Sequence, residues 1–126
     1  MLSFQRLDVY QRAIEFLALA TEMTEQLPRG HAERADQLIR AAESVVRNIA
    51  EAAGRWSQAD SAKHFRIARG EAMECAASLD VLKLRRLIAA PKYEDGLRLL
   101  ESVVAMLTKM RCGLTTSLTV LVSGHP

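Results

Sequence analysis

Residues 36–55 read DQLIRAAESVVRNIAEAAGR, and the spacing of their apolar side chains decides the fold. Leu38, Ala42, Val45, Ile49 and Ala52 recur at three- and four-residue intervals, which is one face of an α-helix. Ile39, Val46, Ala50 and Ala53 widen that face. Alanine is the strongest helix former and adds little bulk, so a neighbouring helix can come close. Gly54 is a natural C-terminal residue, and Arg55 to Gln58 form a link short enough to imply an antiparallel neighbour. The helix is predicted over 32–54.

Working outward, the next helix is predicted over 59–88, with Ser57 or Asp60 available to cap it and Phe65, Ala68, Ala72, Cys75, Leu79 and Leu82 as its seam. Gly70, Ala72, Ala76, Ala77 and Ser78 keep its middle slim, leaving room that a neighbouring subunit can occupy as well as its own chain. Ala89-Ala90-Pro91-Lys92 breaks the pattern. A further helix is predicted over 93–118, its seam Leu97, Leu100, Val104 and Leu107 flanked by Leu99, Val103, Met106 and Met110. Its last part, LTTSLTVLV over 114–122, is apolar and predicted to pack against something rather than stand free. Toward the N-terminus, Leu7, Tyr10, Ile14 and Leu17 mark a helix over 7–26, with Val9, Ala13, Phe16, Ala20, Met23 and Leu27 in an adjacent lane; Leu27-Pro28-Arg29-Gly30 ends it. Four apolar-faced helices with short links give an all-α fold: one domain over 1–126, an antiparallel up-down-up-down four-helix bundle.

The composition agrees. Hydrophobic residues make up 49% and aromatics only 5%, so aliphatic and small side chains must fill the interior. At 126 residues there is material for one core. Cys75 and Cys112 stand far apart with no CxxC, which reads as two thiols in a reducing cytoplasm. The first residues, MLSFQRLDVYQR, carry no apolar signal-peptide region, and no apolar run is long enough to span a bilayer, so no membrane association is expected.

Catalytic chemistry is not visible. His31, His64 and His125 are preceded at i−3 by Pro28, Ser61 and Val122, so the Glu-x-x-His pairing of di-iron bundles is missing. Glu71 and Glu74 form an ExxE without a histidine at the required offset. No glycine-rich phosphate loop or nucleophile motif is present. No catalytic residue, metal site or cofactor is predicted.

Two polar residues sit in lanes that are otherwise apolar or small: Asn48, with Ala41, Val45 and Ala52, and Glu74, with Ile67, Gly70, Ala77 and Val81. A hairpin turning near Ser57 sets Glu74 opposite Arg40 and Asn48 opposite Arg66. The expectation is an Arg40–Glu74 ion pair and an Asn48 amide bonded across the hairpin, both holding register. With Glu51, these are the structural polar positions.

Charge is weakly biased. Residues 1–28 hold two basic and four acidic groups, and residues 29–70 hold eight and five. Arg40, Arg47, Arg55, Lys63, Arg66 and Arg69 are candidates for a strip contacting phosphates, more effective if repeated around an oligomer. The competing reading is intrahelical pairing, since Asp36–Arg40, Glu43–Arg47 and Glu51–Arg55 are all i,i+4 with the acid first. Trp56 alone is too little aromatic surface for interleaved base stacking.

Tyr10-Gln11 with Ala13, Leu27-Pro28, Gln37 to Ala42, Ser44, Asn48-Ile49-Ala50-Glu51, Gly54-Arg55, Phe65, Ile67-Ala68, Gly70 and Glu74 resemble a bacterial family of four-helix-bundle proteins. That family includes proteins encoded in intervening sequences of large-subunit ribosomal RNA genes. It is related to the accessory variability determinant of diversity-generating retroelements. The resemblance covers roughly residues 4–110, with two departures: Ala52 stands where the family usually has Gly, and Ile39 where a second basic residue is common. It implies a ring-like homopentamer without known enzymatic activity, whose accessory relatives associate with reverse transcriptase and nucleic acid. The expectation is therefore a cytoplasmic, non-enzymatic oligomer that binds RNA or DNA weakly and without sequence preference, or serves a nucleic-acid-processing partner. The alternative is a structural, protein-interaction module that binds no nucleic acid.

Overall fold

A short 3-10 turn, Ser3–Arg6, leads into four α-helices: α1 (Asp8–Glu25), α2 (Ala32–Gly54), α3 (Gln58–Leu84) and α4 (Ala90–Cys112). This computed structural model describes residues 1–112, and among them there is no strand. The continuation of the last helix toward 118 and the apolar run 114–122 lie outside the described residues. Helix α2 keeps its predicted bounds. No helix among the described residues is long and apolar enough to cross a membrane.

The other helix ends show which local forces win. Gly30, at φ +93°, takes the left-handed turn between α1 and α2. At the start of α3 the Ser57 hydroxyl accepts a hydrogen bond from the Asp60 amide at 3.1 Å, so Ser57 is the cap. Helix α3 stops four residues short of the predicted 88. Arg86 adopts φ +59°, its amide bonds the Lys83 carbonyl at 2.9 Å, and the Leu87 amide bonds the Leu82 carbonyl at 2.8 Å. That pair of reversed bonds is a Schellman closure, built here on arginine instead of glycine at a cost of about 1–2 kcal/mol. The closure returns Leu87 and Ile88 to partial burial against the core. Helix α4 begins at Ala90, three residues earlier than the predicted 93. Pro91 sits in its first turn, where the N–H it lacks would have had no helical partner.

Helix α1 packs on α2 and α4, and α3 also packs on α2 and α4, so the four surround one core. The predicted seams of α2 and α3 are buried throughout. In α1 the wide apolar face is buried along its adjacent lane: Val9, Ala13, Phe16, Ala20 and Met23 are buried, whereas Ile14 is exposed and Tyr10 and Leu17 are half-buried. With the 3-10 turn packed on α1 and α2, Leu7 is buried at the head of that helix. Helix α4 buries Leu100, Val103, Leu107 and Met110. Near its start, Gly96 lets it approach both neighbours. A Cβ there would lie 2.9 Å from Leu79 Cδ1 on α3 and 3.3 Å from Met23 Cε on α1.

Polar contacts tie the same helices together at the rim. Lys92 pairs with Glu22, joining α4 to α1. The Tyr93 hydroxyl donates to Asp80 at 2.7 Å, joining α4 to α3, and that bond pushes the phenol above its ordinary range. Lys83 lies 4.3 Å above the Tyr93 ring, and Arg69 Nε donates to Thr108 Oγ1 at 2.8 Å.

Candidate interaction surface on the α2–α3 hairpin

The hairpin is fixed by two contacts between its arms. The Ser61 hydroxyl, buried, donates at 2.7 Å to the Ala52 carbonyl in the last turn of α2, where carbonyls lack helical partners. One turn further in, Asn48 Oδ1 meets His64 Nδ1 at 3.0 Å. Asn48 Nδ2 donates to the Ser44 carbonyl at 2.9 Å and approaches its hydroxyl at 3.2 Å. That donation leaves Oδ1 as the acceptor, so the proton of this contact sits on His64 Nδ1. The other ring nitrogen faces Glu51 Oε2 at 3.5 Å, an ion pair when the ring is protonated. Glu51 in turn receives Arg55 Nη2 at 2.7 Å. The Arg55 hydrogen bond, more than any other influence, holds the Glu51 carboxyl below its ordinary range. The result is a continuous polar run, Ser44–Asn48–His64–Glu51–Arg55, that locks the register of α2 against α3.

Asn48 is therefore bonded across the hairpin as expected, but to His64 and not to the Arg66 side. The contacts 52–61 and 48–64 centre the hairpin near Trp56, one residue before the assumed Ser57, which moves every facing position on α3. The Arg40–Glu74 ion pair does not form. Arg40 Nε bonds Asp36 Oδ2 at 3.0 Å on its own helix, and Glu74 has no ion pair among the described residues. Glu74 is exposed, so it suffers no desolvation that would demand a cation. Both side chains line one open groove of about 790 Å³ between the start of α2 and the end of α3, together with Glu33, Arg34, Ala77 and Val81.

The basic strip divides in two. Arg40, Arg47 and Arg55 are each held by the acid four residues before them, at 3.0, 3.6 and 2.7 Å, as intrahelical pairing anticipates. Arg69 is turned to Thr108. Lys63 and Arg66 are exposed and, among the described residues, have no carboxylate partner. No trio of His, Cys, Asp and Glu side chains among the described residues is placed to hold a metal. Cys75 is buried in the seam, and burial pushes its thiol up to about 12, with Glu74 and Glu71 adding to the effect. A thiol so placed stays protonated and unreactive near neutrality.

The outward face of α3 is the less expected feature. Ile67, Gly70, Glu74, Ala77 and Val81 follow one another along it and are all exposed, with Met73 beside them. Apolarity is gathered on one side of α2 but spread around the circumference of α3. A shallow apolar groove of about 320 Å³, lined by Met73, Ala76, Leu97, Leu100, Val104 and Ala105, continues this surface onto α4.

A family model describing the 23S rRNA-intervening sequence protein matches residues 5–109. The chain belongs to the 23S rRNA-intervening sequence protein family. A similar solved structure is a protein with unknown function from the S23 ribosomal protein family of Bacteroides thetaiotaomicron. It is 25% identical, with a TM-score of 0.75 over 82% of this chain and 97% of the other. No curated protein matches. The family thus agrees with the resemblance carried by Asn48 to Glu51 and Phe65 to Glu74, and it comes with a helical fold and no assigned activity.

His64 and Ser61 are the two residues that sequence reasoning missed. Both lie on α3 at positions facing the last turns of α2. The signal was present in Ser61-Ala62-Lys63-His64-Phe65, but it becomes legible only once the hairpin register is fixed.

Proposed function

We propose that this family member is a self-assembling, non-enzymatic helical bundle whose work is binding. In this reading the helices alternate up-down-up-down. The opposed contacts 52–61 and 48–64 between α2 and α3, and 69–108 and 80–93 between α3 and α4, support that order. The observation that carries the reading is the outward lane of α3, where Ile67, Gly70, Met73, Ala77 and Val81 are exposed beside one another, a contiguous apolar patch of the kind that marks an interaction site. Copies of the same chain are the proposed cover, arranged as a ring-like homo-oligomer in the cytoplasm, with five copies on the family resemblance. A head-to-tail contact whose rotation closes gives such a ring. Size-exclusion chromatography with light scattering tests this reading. Native chain should elute as an oligomer, and Ala77→Glu, which puts a charge into the lane, should shift it toward the monomer.

A second reading, weak contact with RNA or DNA, is favoured by Lys63 and Arg66, the two cations of the strip that, among the described residues, neither a carboxylate nor Thr108 engages. Repetition around a ring would multiply so small a patch. Retention on RNA or DNA at low salt, lost steeply as salt rises, supports it. Micromolar protein that shows no retention at low salt contradicts it.

A further inference from the structure

Trp56 is the single tryptophan of the chain, and the fold leaves its side chain wholly exposed at the apex of the α2–α3 hairpin. We infer that this apex is a stacking site for single-stranded nucleic acid, with the Trp56 indole taking one base and Lys63 and Arg66 contacting the phosphates beside it. The inference rests on the nucleic-acid reading above and gives it a place and a strand preference.

Three observations support it. First, the ring's neighbours along the hairpin, Gly54, Arg55, Ser57, Gln58, Ala59 and Asp60, are all exposed and small or polar. An aromatic anchor of a protein interface is normally ringed by side chains that exclude water. Base stacking asks only for an accessible π-face near cations. Second, Lys63 and Arg66, the two cations of the strip that, among the described residues, neither a carboxylate nor Thr108 engages, follow Trp56 on the next helix. At 1.5 Å per residue they lie roughly 10 and 15 Å further along α3, close enough for one short strand to meet ring and charges together. Third, the apex is held firm. The Asn48–His64–Glu51–Arg55 run and the Ser61–Ala52 bond lie just beneath it, so the ring is presented on a fixed support.

The same surroundings set the character of binding. Arg55 is engaged by Glu51, and Asp60 adds an acid in the first turn of α3, so the local excess of positive charge is small. Binding is therefore weak and sensitive to salt. Bases in a duplex are already stacked on each other, and an indole gains access only where a base is free. The site thus prefers single strands.

The lone tryptophan makes the test direct. An oligouridylate of about 15 nucleotides, within the span such sites cover, is titrated into the full chain at low salt. Tryptophan emission and the anisotropy of a labelled copy are read together, with a duplex of the same length as control. The expected result is quenching that tracks the anisotropy, and weaker response to the duplex. Trp56→Ala should weaken binding on the order of tenfold, and Trp56→Phe should retain most of it. If anisotropy rises without quenching and Trp56→Ala binds like the native chain, the apex is not the site, though the nucleic-acid reading survives. If neither signal moves at micromolar protein, both fall. A blue shift that grows with protein concentration in the absence of oligonucleotide would show that another copy covers the ring, which overturns the assignment.

Discussion

The two sides of α3 are built from similar residues and meet opposite fates. Inward, Phe65, Ala68, Ala72, Cys75, Leu79 and Leu82 are at most 2% exposed. Outward, Ile67 and Val81 are 38% and 44% exposed, with Gly70, Glu74 and Ala77 between them. Small and aliphatic side chains on the inner side let α2 and α4 come close, and the core follows from that. The small and aliphatic side chains on the outer side have no such partner among the described residues. Among the described residues, α3 thus has one covered face and one open face.

Substitutions that separate the two faces should differ most at their largest side chains. Phe65→Ala removes a ring from the core and should cost about 3–5 kcal/mol. Ile67→Ala, two residues along but on the other side, should stay within about 0.5 kcal/mol when measured on dilute, unassembled protein. Urea denaturation of the two variants checks both values, and equal losses would erase the distinction.

Glycines sharpen the contrast. Gly96 is wedged against Leu79 and Met23, whereas a Cβ on Gly70 would meet nothing within 4 Å. Gly96→Val should destabilise by about 1–3 kcal/mol through overpacking. Gly70→Ala should stabilise the isolated chain by about 1 kcal/mol, because alanine is the better helix former in an open position. Thermal melts read both signs directly.

Polar residues divide the same way. Asn48→Ala leaves His64 Nδ1 without its acceptor at a half-buried site and should cost about 1–2 kcal/mol. Glu74→Ala, on the open side, should be nearly silent. Chemistry at Cys75 gives the smallest and sharpest readout. In a Cys112→Ser background, a thiol reagent at neutral pH should leave the folded protein unlabelled and react once denaturant opens the core. Rapid labelling of native protein would mean that the inner face is not closed.

These differences also explain what could be read from the chain alone. Periodicity located the seams of α2 and α3 because burial of Leu38 to Ala52 and of Phe65 to Leu82 depends only on spacing within one helix. Intrahelical pairs such as Glu51–Arg55 were legible for the same reason. Contacts between helices depend on register, and a one-residue shift in the turn replaced Arg66 by His64 as the partner of Asn48. The early end of α3 was hidden because arginine at position 86 occupies a left-handed turn that glycine would have announced. The missing Arg40–Glu74 pair has a further cause: the lane holding Glu74 looked buried from its composition, yet it faces outward. Composition shows that a face is suited to packing, and says nothing about whether the partner lies in the same chain.

Sedimentation equilibrium on the native chain across a wide concentration range, beside a Gly70→Glu, Ala77→Glu variant, shows whether other copies cover the outward lane of α3. The native protein should sediment at a multiple of 14.0 kDa, and the doubly substituted one should return toward a single chain while keeping its helical content. A native protein that remains at 14.0 kDa at the highest concentration would mean that no copy covers the outward lane of α3 and that this lane faces water.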